Sequence, residues 1–288
     1  MGLLGAHIST AGGLDQAFDR GERLGCEAIQ IFTRNQRRWN PPPLSEKAVA
    51  AFRLRYEKSP VRSVVSHGSY LLNLASPDRD RRTKSFSTLL DEIDRAGRLG
   101  ISCFVCHPGS HRGAGESAGL DSLAETLNRA LSERPDSPVR LLLENTAGSG
   151  HHLGAQFEQF RYVIDRIEDP SRIGICFDTA HAFAAGAALS TPGEIRDTFG
   201  ALDAVVGLER IRVFHLNDSK AGSGTRVDRH ENIGKGRLGT EIFSFLLHSE
   251  VFKDRPMLLE TPGGEEGYRE DLAALRSLIH GGGGRSRS

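Results

Sequence analysis

IGICFD, residues 173–178, is a short apolar run that stops on a carboxylate, and five other runs in the chain have the same form. VRSVVS precedes His67, ISCFVC precedes His107, VRLLL precedes Glu144, IRVF precedes His215 and PMLL precedes Glu260. Bounded runs of this length, rich in Val, Ile, Leu and Phe, read as buried β-strands. Their closing residues recur 34 to 45 positions apart, which is room for a strand, a loop, a helix and a return loop. Two more strands fit the series upstream: LLGAH, ending at His7, and EAIQIF, ending at Phe32.

Helical spacing fills the intervals. Leu14, Ala17, Phe18, Gly21 and Leu24 follow it, as do Phe86, Leu89, Ile93 and Ala96, then Leu120, Leu123, Leu127 and Leu131. Phe157, Phe160, Ile164 and Ile167 mark a further helix, and Leu272, Leu275 and Ile279 the last. Thr191-Pro192-Gly193-Glu194 has the form of a helix start, with Thr as cap, Pro first and Glu three residues on. Eight β units alternating with helices predict an α/β fold, a single-domain (β/α)8 TIM barrel over residues 1–280. In an open doubly wound sheet the strand ends would spread along a line, and only neighbours would share a crevice. The closing GGGGRSRS, residues 281–288, has no apolar anchor and is expected to be a disordered tail.

Lys plus Arg and Asp plus Glu are equal at 37 each, so no global charge draws the chain to a polyanion, and any nucleic-acid contact must be local. No stretch approaches the roughly 18 apolar residues of a membrane span, and MGLLGAHIST lacks the pattern of a signal peptide. Of the four cysteines, Cys103, Cys106 and Cys176 fall inside expected strands, as buried thiols do; Cys26 is the fourth. Reduced thiols and a cytoplasmic location are expected.

Strands that all stop on His, Asp or Glu bring those side chains to one end of one sheet. Two local pairs join them: Asp178-x-x-His181, where a beginning helical turn would bring both to one side, and Asp228-x-His230, where extended chain would do the same. A lone His at a strand end is ordinarily a hydrogen-bonded structural residue, and a lone Asp or Glu caps the next helix. Six strand ends and two such pairs together point to a metal centre of His67, His107, Glu144, Asp178, His181, His215, Asp228, His230 and Glu260. Five imidazoles with four carboxylates suit zinc, and partly manganese or iron, better than magnesium or calcium. Nine ligands exceed what one tetrahedral ion uses and suit two or three.

FTRNQRRW (32–39), HGSYLLNLASP (67–77), CHPGSH (106–111), LLENTAGSG (142–150), CFDTAHAFAAG (176–186), FHLNDSK (214–220) and VDRHENIGKG (227–236) occur in this order. With that ordered series the chain resembles the endonuclease IV family of apurinic/apyrimidinic (AP) endonucleases over almost its whole length. The resemblance implies a zinc-dependent deoxyribonuclease of base excision repair. Such an enzyme hydrolyses the phosphodiester 5′ to abasic sites in double-stranded DNA, leaves a 3′-hydroxyl and a 5′-deoxyribose phosphate, and trims blocked 3′ ends. It implies three Zn2+ ions, with Mn2+ or Fe2+ as substitutes. His67, His107 and Glu144 would hold one; Glu144 would bridge to a second held by Asp178, His215 and Glu260; His181, Asp228 and His230 would hold the third. Glu144 is the expected catalytic residue, orienting or deprotonating the attacking water. Gly68 departs from the usual family pattern without touching the ligand set.

DNA contacts are expected from loops at the same mouth: Arg34, Asn35 and Arg37 after the second strand, Tyr70 and Leu71 after the third, and Asn217, Lys220 and Arg229 after the seventh. Arginine meets phosphates, and an aromatic or apolar wedge fills the gap left by an extruded nucleotide. The resemblance supports Arg37, Tyr70 and Leu71 as the inserted residues. A monomer is expected, since one mouth carries every residue needed. Two other readings compete. A divalent-metal sugar isomerase or epimerase on the same barrel would use Glu144, Asp178, His215 and Glu260 but leave the other ligands and the Arg and Tyr-Leu loops unexplained. A catalytically silent binder of damaged DNA would have no use for a complete ligand set.

Overall fold

The computed structural model describes residues 1–281. Of the expected tail, Gly281 closes the last helix and the remainder lies outside the described residues. Among the described residues, eight strands close into one barrel: β1 (Leu3–His7), β2 (Ala28–Ile31), β3 (Ser63–His67), β4 (Cys103–Cys106), β5 (Arg140–Glu144), β6 (Ile173–Asp178), β7 (Ile211–His215) and β10 (Pro256–Leu259). Each pairs in parallel with its neighbours in chain order, and β10 closes on β1. The two-residue strands β8 (Asp218–Ser219) and β9 (His230–Glu231) pair antiparallel in the long loop after β7.

Helices α1 (Gln16–Arg23), α2 (Glu46–Lys58), α3 (Arg79–Leu99), α4 (Glu116–Glu133), α5 (Phe157–Ile164), α6 (Thr179–Ala185), α7 (Pro192–Val206), α8 (Glu241–His248) and α9 (Gly264–Gly281) fill the connections. Thr191 caps α7 as its sequence predicts, its hydroxyl accepting from the Glu194 N–H while the Glu194 carboxylate accepts from the Thr191 N–H. Asp78 caps α3 by accepting the Arg81 N–H on its carboxylate, and Gly100, left-handed at φ 78°, ends it. Three helices, α2, α6 and α8, are absent from the periodic segments above. In α2 only Val49 and Phe52 are buried, too few to leave a helical stripe in the sequence.

Two apolar layers hold the barrel. Between strands and helices lies the main core, where Phe177, Phe199, Phe214 and Phe252 pack with ring centroids 4.8–6.1 Å apart. Full burial of each such side chain contributes about 1.5–3 kcal/mol. Inside the barrel sits one small residue group per strand: Leu3, Ala28, Val65, Val105, Leu142, Cys176, Val213 and Leu258. This floor excludes water from below, and strand alternation fixes what stands above it.

Gly5 marks the tightest point of the wall, because a Cβ there would collide with the carbonyl oxygen of Ala28 on the neighbouring strand. Gly5→Ala should therefore cost at least about 1–3 kcal/mol, as overpacked cores do, read as a lower midpoint in urea denaturation.

Candidate metal centre

Counting two residues beyond each floor residue gives the polar layer of the mouth. Val65 leads to His67, Val105 to His107, Leu142 to Glu144, Cys176 to Asp178, Val213 to His215 and Leu258 to Glu260. Because side chains on a strand alternate between faces, all six point back inside the barrel. The remaining expected ligands arrive from loops. Asp178 caps α6 through Oδ1, which accepts the His181 N–H at 2.7 Å and so fixes where that histidine stands. Asp218 holds the β7–α8 loop by accepting the backbone N–H groups of Ser219, Gly234, Gly236 and Leu238, and the hairpin so formed carries Asp228 and His230.

Glu144, fully buried, occupies the middle. Its Oε2 lies 3.1 Å from Nε2 of both His67 and His107, and its Oε1 lies 2.9 Å from His215 Nδ1 and 3.3 Å from His181 Nδ1. His215 Nδ1 also faces Glu260 at 3.4 Å and Asp178 at 3.9 Å. Three groups of potential ligand atoms, each within 4.8 Å of one another, result: His67, His107 and Glu144; Glu144, Asp178, His215 and Glu260; and Asp178, His181 and His230. The carboxylate of the half-exposed Asp228 stands 3.3 Å from His181 Nε2 and 3.5 Å from His230 Nε2. All nine residues singled out in the sequence thus meet at one mouth, with Asp178 reaching the third group as well as the second.

The outward hydrogen bonds of the imidazoles show that this mouth fits cations. A carbonyl oxygen can only accept, so the ring nitrogen facing one carries the hydrogen. His67 Nδ1 donates to the Gly68 carbonyl at 2.8 Å, His181 Nδ1 to that of Asn145 at 2.9 Å and His230 Nδ1 to that of Glu260 at 3.2 Å. Once neutral, each ring would turn a lone pair inward, the arrangement that metal-ligating histidines use. His181 and His230 bring two such Nε2 atoms to 3.4 Å. Two lone pairs at that distance repel unless a proton or a metal ion lies between them.

Gln30 is the residue the sequence reading missed. It stands two positions beyond the floor residue Ala28, and is fully buried on β2. Its Oε1 accepts from His215 Nε2 at 2.9 Å, leaving Nδ1 to face the carboxylates, while its Nε2 donates to Glu260 Oε1 at 2.6 Å. His7 Nδ1 completes the triangle, 2.9 Å from the same oxygen. One amide therefore sets both the tautomer of His215 and the aim of Glu260. Its signal was a single polar residue inside an apolar strand, in register with the ligand layer.

Burial alone would neutralise these groups, but the mutual contacts outweigh it. Although desolvation opposes its charge, His215, His107 and His181 hold the Glu144 carboxyl well below the usual carboxylate range. A hydrogen bond from His181 draws Asp228 down to about 2. Desolvation likewise opposes protonation of His181 and His215, yet the surrounding anionic groups push both well above the ordinary histidine value.

The expected DNA contacts divide. Asn35, Arg37, Lys220 and Arg229 are exposed, Tyr70 is 64% exposed, and Leu71 is half-buried beside it. Asn35 Oδ1 accepts the Arg37 N–H at 2.9 Å, a turn that presents Arg37 outward. Arg34 and Asn217 do not fit the assignment. Arg34 is buried, its guanidinium spent on Asp91 at 2.8 Å and on the carbonyls of Arg38 and Trp39. Asn217 is fully buried, donating to Asp178 Oδ2 at 2.7 Å and accepting the Glu260 N–H at 2.8 Å. Arg34 Nε is left without a hydrogen-bond partner but is buried with the rest of the side chain, and both residues brace the site from within.

Residues 18–278 match the Xylose isomerase-like TIM barrel family. A probable endonuclease 4 of Chloroflexus aggregans is 44% identical over 281 residues, covering 97% of this chain and 98% of its own. One from Trichlorobacter lovleyi is 44% identical over 277 residues, covering 96% and 99%. Endonuclease IV from Thermus thermophilus superposes with a TM-score of 0.86 at 36% identity, over 97% of this chain and 99% of that one. A D-tagatose 3-epimerase-like protein superposes with a TM-score of 0.75 at 20% identity, over 97% and 96%, and shares the fold.

Gln30→Leu, which keeps volume but removes both hydrogen bonds, should weaken affinity for a divalent metal ion by about 10–100-fold, the range for lost outer contacts to ligands; chelator competition measures it. Zinc added to metal-free protein at neutral pH should also release protons, because the raised His181 and His215 must give theirs up. Apparent affinity then falls as pH is lowered, and calorimetry in buffers of different ionisation enthalpy counts the protons.

Proposed function

The chain belongs to the endonuclease IV family, and we propose that its mouth hydrolyses the phosphodiester 5′ to an abasic site in double-stranded DNA, leaving a 3′-hydroxyl and a 5′-deoxyribose phosphate, and trims blocked 3′ ends. It is a hydrolase of phosphodiester bonds, as its endonuclease relatives are named. The observation that carries the reading is the chain of three ligand groups, joined through Glu144 and through Asp178. That donor set supports three zinc ions, one per group, with manganese or iron as substitutes. Bound there, divalent cations would supply Lewis-acid charge to phosphate oxygens and lower the pKa of water toward about 7.

The residues of the chain supply position. Glu144, kept ionised by the imidazoles around it, is the proposed catalytic residue. A carboxyl held that low is a poor store for a proton, so orienting water through its oxygens suits it better than deprotonating it. His67, His107, Asp178, His181, His215, Asp228, His230 and Glu260 hold the remaining positions. Beside Glu260 and His7 opens a cleft of about 810 Å³ with Tyr70 and Tyr268 on its walls, room for an extruded sugar. Tyr70 and Leu71 serve as the wedge, and a nucleotide without a base is the one that flips at least cost. Arg37 is inserted beside them, while Asn35, Lys220 and Arg229 meet the backbone.

No helix among the described residues is long and apolar enough to cross a membrane. Four free cysteines, none of them exposed, agree with a reducing, cytoplasmic setting. The protein is proposed to act as a monomer.

A duplex bearing one abasic analogue should be cut on the 5′ side of the lesion, with the activity lost on prolonged chelation and restored by zinc. Metal analysis should find about three zinc ions per chain, where an isomerase would hold one or two. Glu144→Gln should keep DNA binding while cleavage falls at least about 100-fold; near-normal turnover would remove Glu144 from the chemistry.

A further inference from the structure

On the side of the mouth away from Glu260 lies a second, smaller cleft of about 230 Å³. His67 and His107 form its inner end, so it opens directly onto the first ligand group. Arg81, Arg112 and His152 line its outer part, and no carboxylate lines it anywhere. Both arginines are exposed, and neither guanidinium makes a hydrogen bond or ion pair among the described residues. Other exposed arginines do: Arg62 reaches Asp254 and Arg161 reaches Asp165.

The walls are fixed rather than loose. Asn73 ties them together, its Oδ1 accepting the Ser110 N–H at 2.9 Å and its Nδ2 donating to the Ser110 carbonyl at 3.1 Å. Leu153 N–H donates to the Gly109 carbonyl at 2.9 Å, and His111 N–H to the His151 carbonyl at 3.1 Å, which fastens the segment bearing His152 to the segment bearing Arg112. Arg112 itself sits at φ 47°, a left-handed conformation that a non-glycine residue keeps only where its surroundings impose it. Its backbone N–H is held by Ser110 Oγ at 3.3 Å.

We infer that this cleft is a subsite for a phosphodiester of the substrate strand adjoining the one at the metal centre, with Arg81 and Arg112 as its ligands. A preformed slot walled by cations and continuous with the reacting centre accepts an anion tethered to the scissile phosphate, and the next phosphate along the strand is such an anion. Arginine suits the task, because its planar fork matches two phosphate oxygens at once. The inference rests on the nuclease reading and adds to it the place where the strand is registered on the His67–His107 flank.

The test compares wild type with the Arg81→Ala/Arg112→Ala double variant in binding an uncleaved abasic-analogue duplex across a range of salt. Each phosphate that the protein no longer neutralises should flatten the slope of log K against log salt by about 0.9, and affinity near 0.1 M salt should fall roughly tenfold. Lys58→Ala is the control, since Lys58 ends α2 just before β3 begins, at the far end of the barrel. Single neutral methylphosphonates are then scanned along the substrate strand. One linkage near the lesion should weaken wild type as much as the double substitution does, and weaken the double variant no further. An unchanged salt slope, or a full methylphosphonate effect at every linkage in the double variant, overturns the subsite. Binding is read without cleavage, so a wild type that grips the duplex but fails to cut it refutes the nuclease reading alone.

Discussion

A carboxylate with no exposure at all stands at the centre of this structure, and its burial has to be compensated. Glu144 meets four imidazole nitrogens within 3.3 Å. An isolated buried carboxylate would take up a proton instead of remaining charged. Meeting that requirement ties together β3, β4, β5, β7 and α6, since each contributes one partner or the carboxylate itself. The imidazoles are in turn held by oxygens behind them, from Gly68, Asn145, Gln30 and, for His230, Glu260. Ligand geometry in this mouth is therefore a property of the barrel wall, set before any substrate arrives.

The period of two along each strand is what made so much of this legible. Strands that end on a metal-binding residue, with small apolar residues two positions earlier, can only stack those end groups over a closed floor. That is why the eight strands and six of the nine residues that meet at the mouth were visible in the sequence, while the spacings Asp178-x-x-His181 and Asp228-x-His230 gave the other three. Gln30 obeys the same parity, yet one amide inside EAIQIF has no spacing partner to announce it. Arg34 and Asn217 show the converse error. Both lie in polar stretches at the mouth, and composition does not say whether a polar side chain turns toward solvent or back into the loop. Among the helices, those with a wide apolar stripe were evident, while α2, whose buried face is two residues, was not.

The buried residues near the mouth explain how exposed tips stay in place. Arg34 fastens the loop bearing Arg37 to Asp91 of α3, and Glu92, one residue on, accepts the Ser69 N–H at 3.0 Å just before Tyr70. Ser69 Oγ then donates to the Gln36 carbonyl at 2.8 Å, so the two loops are joined to each other as well as to the helix. Burial raises the Glu92 carboxyl to about 7. Opposite it, Asp271 of α9 accepts from Ile233 N–H and Asn232 Nδ2, both at 2.9 Å, and anchors the loop that brings in Asp228 and His230. Loops held at both ends in this way spend little further entropy when DNA docks on them.

The same barrel also carries epimerases, so the fold by itself is silent on chemistry. Glu144, Asp178, His215 and Glu260 form a quartet that would suffice for an isomerase. What sets this mouth apart is that the quartet is flanked on both sides by ligand groups sharing its own carboxylates. His67 and His107 extend it along Glu144, and His181 and His230 extend it along Asp178. A sugar held by one or two ions has no need of three linked sites. A phosphodiester has: charge develops on the attacking and leaving oxygens, which lie roughly in line, and on the non-bridging oxygens, which lie equatorially between them. Three ligand groups linked by shared carboxylates would offer cationic charge to each of those oxygens, and it is this linkage, more than the number of groups, that argues for cleavage of DNA.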